Sequence, residues 1–65
     1  MNIILLKFEF SFFFRNGDEK DVMQTKIEAK GKHEANLKFE EWLKSEAPRV
    51  IQRGIIRNSI EDKEI

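Results

Sequence analysis

The sequence predicts an α+β fold: a single small ββαβ domain, with one helix packed on one face of a three-stranded sheet of order 2-1-3. Three observations carry this. Every even position from Ile4 to Phe14 is apolar, and a second alternating run follows the turn signal "NGDE". An apolar stripe at helical spacing comes next and stops at Ala47-Pro48. The expected elements are a strand over 3–15, a turn over 16–19, a strand over 20–30, a helix over 32–46, a strand within 50–60 and an acidic tail over 61–65.

The first strand is read from its period of two, with Ile4, Leu6, Phe8, Phe10, Phe12 and Phe14 on one face. Asn16 and Gly17 tolerate positive φ and so favour a turn. In the second run Met23, Thr25, Ile27 and Ala29 form the less polar face, opposite Gln24, Lys26, Glu28 and Lys30. Two registers keep both apolar faces together. An Asn16-Gly17 loop sets Lys7 against Lys26 and Phe13 against Lys20. A four-residue loop, Asn16 to Glu19, sets Glu9 against Lys26, Lys7 against Glu28, Ser11 against Gln24 and Phe13 against Val22. Opposite charges or apolar residues across a pair contribute about 0.2–1 kcal/mol, and like charges oppose pairing. The longer loop gains two ion pairs and an apolar pair, and its cost is Arg15 facing Lys20. It is the predicted register. Phe13, the residue that breaks the alternation, then faces Val22 on the outer side of the sheet, an apolar pair that is also an exposed patch.

The helix begins after Gly31, a possible N-cap, with Glu34 three residues on as in a capping box. Ala35, Phe39, Trp42 and Leu43 share one stripe. Leu37 lies on the opposite side, beside Glu41 and Lys44. Pro48 ends the helix, because the residue before proline is pushed out of the α region. The remainder, "RVIQRGIIRNSIEDKEI", is compatible with a helix through Ile51-Ile55 and Ile56-Ile60, but its β-branched residues and Gly54 favour a strand. Without one the sheet would have two strands, which is marginal. A right-handed crossover makes this strand parallel to the second, and the first, with the most continuous apolar face, takes the middle.

Lengths imply incomplete cover. The apolar face from Ile4 to Phe14 spans about 33 Å at ~3.3 Å per residue, and the helix about 22 Å at ~1.5 Å per residue. On the order of 10 Å of sheet face, at the Phe12–Phe14 end, is left for a second protomer, a partner protein or the C-terminal segment. A homodimer is the expectation, in keeping with the small core of a chain of 65 residues. Without cysteine, neither a disulfide nor a thiolate metal site reinforces that core.

Composition narrows the function. Twelve basic and twelve acidic residues balance, which disfavours non-specific attraction to nucleic acid or anionic membranes. The apolar run Ile3–Leu6 is shorter than the roughly 7–15 residues of a secretory core or the ~20 of a membrane span. The expectation is a soluble, cytoplasmic protein with no membrane association. His33 is the one histidine, and Ser11, Ser45 and Ser59 have no nearby base or glycine elbow. There is no phosphate-binding glycine loop and no metal-ligand spacing. No enzyme activity, cofactor or metal is therefore expected.

The pattern "FEFSFFFRNGDEKDVMQTKIEAKGKHEANLKFEEWL" resembles many short accessory proteins of bacteriophages and mobile elements, over about residues 7–47. The resemblance implies a protein that binds and inhibits a larger host protein, including antiviral defence enzymes. The element order also resembles archaeal ribosomal protein LX, where an Arg-rich segment, here "RVIQRGIIRN", follows the helix; that family is basic and contacts ribosomal RNA. The leading expectation is a non-enzymatic protein–protein interaction module, with Phe12, Phe13, Phe14, Val22 and Leu37 as partner- or dimer-binding residues. The alternative is a small RNA-binding or ribosome-associated protein using Arg49, Arg53, Arg57, Lys26 and Lys30 beside Phe13, in the manner of a base-stacking platform.

Overall fold

Alternation in the N-terminal half produces a long hairpin in the computed structural model, which describes residues 4–65. β1 (Leu6–Asn16) pairs antiparallel with β2 (Glu19–Ala29). The register is the one that charge and apolar pairing favour: Lys7 faces Glu28, Glu9 faces Lys26, Ser11 faces Gln24 and Phe13 faces Val22. Arg15 faces Lys20 at the exposed end, as the same register requires. Pairing continues one step further than expected, to Asn16 and Glu19, so the turn itself is Gly17-Asp18. Gly17 has φ +67°, and no non-glycine among the described residues has positive φ. That combination suits a type II′ turn, whose twist matches the flanking strands. The expected start of the first strand at residue 3 lies outside the described residues. Ile4 and Leu5 are exposed and precede β1, so its buried face begins at Leu6.

α1 (Lys32–Ser45) covers the apolar face. Gly31 stands at its N-cap without a side-chain hydrogen bond, and the Lys30 N–H donates instead to Glu34 Oε1 at 3.2 Å. This is one half of a capping box, displaced by one residue. Ala35, Phe39 and Leu43 are buried, and Trp42 packs against the same core. The Phe39 ring stacks on Phe10 with centroids 4.4 Å apart and planes 6° apart, and meets Phe12 edge-on at 5.7 Å. Trp42 extends the cluster, 6.2 Å from Phe12. Aromatic pairs of this kind add about 0.5–1.5 kcal/mol beyond area burial, which concentrates the core's energy at the α1–β1 crossing.

The C-terminal third corrects the expected strand within 50–60. Arg49–Gly54 forms a short helix, α2, and Arg57–Ser59 a 3₁₀ turn; the third strand, β3, is Glu61–Glu64, the segment expected to be an acidic tail. Pro48 starts α2 with φ −55°, and its carbonyl accepts from the N–H groups of Ile51 and Gln52. The turn wins over the β propensity of Val50 and Ile51 because it buries Ile51 completely in the core. β3 pairs antiparallel with β1, Phe8 with Glu64 through Ser11 with Glu61, and is therefore parallel to β2. The sheet is a three-stranded one of order β2-β1-β3, and the domain is the small α+β, ββαβ-like fold expected, with an additional short helix before the last strand.

Ile55 makes an isolated bridge to Phe14, and the Ile56 N–H donates to Phe13 O at 2.9 Å. The chain then bulges through the 3₁₀ turn and resumes pairing as β3, so residues 55–65 line the second edge of β1. Gly54 lies so close to β1 that a Cβ there would sit 2.3 Å from Arg15 O, which makes glycine a packing requirement. The result is elongated along the hairpin, 49 × 21 × 14 Å.

This segment also overturns the expectation of an uncovered sheet end. Phe12 and Phe14 are 1% and 9% exposed, packed in one core with Ile51 and with Ile55 against it. The C-terminal segment, one of the three possible covers, packs on this end. The length argument for a homodimer therefore falls away, and Phe12 and Phe14 belong to the core instead of to a partner surface.

Candidate interaction site

With α1 and α2 on one side of the sheet, no element among the described residues covers the other face, which is open. The odd positions of β1, the even positions of β2 and the odd positions of β3 point to it. At its hairpin end stand Phe13, 42% exposed, and Val22, 61% exposed, directly opposite each other. The backbone of Phe13 is fixed by the C-terminal segment. Its N–H donates to Ser59 Oγ at 2.8 Å, and its carbonyl accepts from Ile56. Ser59 Oγ in turn donates to Ile56 O at 2.6 Å, so the hydroxyl bridges the bulge to β1. Lys20 Nζ lies 5.2 Å from the Phe13 ring centroid, a cation–π contact that flanks the patch with positive charge.

Further along, the open face turns acidic. A shallow hollow there is lined by Glu9 and Glu61 with Lys63, beside Ser11, Gln24 and Asp62, whose carboxylate turns to Lys32 on α1. Glu9 contacts Lys63 on β3 at 3.6 Å. Glu9 faces Lys26 in register, yet its carboxylate meets the cation on the other neighbouring strand. Sequence reasoning missed this edge of the face. Glu61 and Lys63 come from a segment in which every residue is charged, so it has no apolar alternation to mark it as a strand.

The remaining expected site residues do not gather here. Leu37, 57% exposed, is on α1, across the molecule from the open face. Arg49 and Arg53 are exposed on α2, whose Ile51 packs into the core behind the sheet. Arg57 Nη1 holds both oxygens of Glu40 on α1, at 2.8 and 2.6 Å. Hydrogen bonding to that carboxylate and its charge raise the Arg57 pKa above its ordinary value. Lys26 is on the open face, while Lys30 follows β2 beside the α1 start. The candidate cations are thus split between two sides of the molecule, and one is engaged internally.

The α1 N-terminus holds the other shifted group. Glu34 sits below the usual carboxylate range, first because the Lys30 N–H bonds it and then because Lys38 does, 3.4 Å away; desolvation opposes both. Lys38 Nζ also donates to Glu28 O at 2.8 Å, tying α1 to β2. Lys32 contacts Asp62 at 3.6 Å and ties the same helix to β3. These charges tie elements together at the surface. Among the described residues no helix is long and apolar enough to cross a membrane, and no group of three or more His, Cys, Asp or Glu could hold a metal ion.

No family model matches the chain, and neither a curated protein nor a solved structure matches it.

Proposed function

We propose that the protein is a non-enzymatic protein–protein interaction module that engages a larger partner protein through the hairpin end of its open sheet face. One observation carries this: Phe13 and Val22 form an exposed apolar pair, and both backbone groups of Phe13 are bonded to the C-terminal segment. An aromatic anchor already fixed in place loses little freedom on docking, which is how preorganised surfaces gain affinity. Lys20 over the ring adds a cation that suits an acidic rim on the partner. The resemblance to phage and mobile-element accessory proteins suggests the sharpest form of the reading, an inhibitor of a host enzyme, including a defence enzyme.

RNA binding is the weaker reading. The open face carries one aromatic and an acidic hollow, and Arg57 is occupied by Glu40. The two readings separate in one experiment. Tagged protein is incubated with lysate of the source cells, with and without nuclease, at low and high salt, beside the Phe13→Ser/Val22→Ser variant. A stoichiometric protein partner that survives nuclease and salt and is lost in the variant supports the proposal. Capture that nuclease abolishes, or that Arg49→Ala/Arg53→Ala removes while Phe13→Ser/Val22→Ser does not, overturns it.

A further inference from the structure

β2 is an edge strand of eleven residues, and among the described residues nothing pairs with its outer side. The direction of its free backbone groups follows from β1. Phe13 and Lys7 turn their backbone groups toward the C-terminal segment, bonding Ser59, Ile56 and Ile65. Antiparallel ladders alternate, so the odd residues of β1 face β3 and the even ones bond β2. The partners of the odd residues, namely Lys20, Val22, Gln24, Lys26 and Glu28, must then aim their N–H and C=O groups away from β1. Lys38 agrees with this, since its ammonium reaches Glu28 O.

We infer that this edge pairs with the same edge of a second copy, antiparallel about a two-fold axis at Gln24, to give a continuous six-stranded sheet. The edge is self-complementary. Centred on Gln24, the whole of β2 is used, Lys20 faces Glu28 of the other copy twice by symmetry, and Val22 faces Lys26 without a like-charge clash. All these pairs join outward-facing backbone groups, as hydrogen bonding across the axis requires. Other registers are worse. An axis at Met23 sets Lys20 against Lys26, and an axis at Lys26 sets that residue against itself. An axis at Val22 leaves Glu28 without a partner and runs the ladder into the Gly17-Asp18 turn.

Outward lysines ordinarily guard an edge against pairing. Here neither Lys20 nor Lys26 meets a cation in the favoured register. Lys38 need not leave, because the Glu28 carbonyl has two lone pairs and can accept a second donor. The pairing goes beyond the proposed function and does not rest on it, although Val22 takes part in both. It would place two Phe13–Val22 patches on one face, so that a partner could be engaged twice.

The chain has no cysteine, which makes single-cysteine variants clean probes. Residues opposite each other at a hydrogen-bonded pair have Cα atoms about 5.5 Å apart, inside the roughly 4.4–6.8 Å range for a disulfide. Under mild oxidation Gln24→Cys is expected to form a covalent dimer. Val22→Cys and Lys26→Cys alone are not, since each would lie about 13 Å along the strand from its counterpart at ~3.3 Å per residue. The double variant with both should crosslink. In sedimentation, Lys20→Glu is expected to weaken the dimer roughly 5- to 30-fold through its two lost pairs, and adding Glu28→Lys should restore it. A strict monomer at high micromolar concentration overturns the inference. So does crosslinking through Val22→Cys but not Gln24→Cys, or binding of a foreign strand at the edge with no self-pairing. None of these outcomes depends on Phe13→Ser, so the edge and the patch fail or stand separately.

Discussion

At the scale of single residues, Phe13 and its neighbours play opposite parts. Phe12 and Phe14 are core, and Phe13 sits between them with its ring in solvent. Phe13→Ser is expected to keep the fold and cost no more than about 1 kcal/mol, the value of one cross-strand pair, as read from chemical denaturation. Unfolding would mean that Phe13 is structural. Phe39→Ala removes the ring that stacks on Phe10 and edges Phe12, and should cost about 3–5 kcal/mol. In a domain this small that leaves little native signal by circular dichroism. Gly54→Ala drives a methyl into Arg15 O and is expected to lose about 1–3 kcal/mol through overpacking. It should be visible as a lowered thermal midpoint with the hairpin register unchanged.

At the scale of elements, what the sequence made legible was what side-chain pattern encodes. The hairpin register could be argued from four outer-face pairs because charge and apolar type distinguish the two alternatives. The α1 stripe could be argued from Ala35, Phe39, Trp42 and Leu43. β3 could not, because Glu61–Glu64 is held by backbone pairing to β1 and has no apolar face of its own. α2 was hidden for the opposite reason: Val50 and Ile51 have strand propensity, and the burial that overrides it exists once the sheet is formed. The candidate site divided in the same way. The Phe13–Val22 pair was readable from register, whereas the burial of Phe12 and Phe14 depended on where α2 lands. Acid response also belongs here. Glu34 has a folded-state pKa below its unfolded one, so its contribution is present above the unfolded value and lost as pH falls through the folded one. Glu34→Gln should flatten the acid limb of a stability–pH curve. Arg57 is shifted upward and stays charged in both states across ordinary pH, so it adds no proton-binding step of its own to that curve.

At the scale of the whole molecule, the chain builds a long sheet whose one face is closed by its own helices and whose other face is open. The closed side explains stability: α1 covers one stretch, and Ile51 and Ile55 cover the hairpin end. The open side explains why an apolar pair remains in solvent. The most direct test is quantitative capture of the lysate partner by wild type and by Phe13→Ser/Val22→Ser, at equal concentration, with thermal melts confirming that both are folded. The account predicts at least ~10-fold weaker capture by the variant, the loss expected when an aromatic anchor is truncated. Equal capture by two equally folded proteins would contradict it.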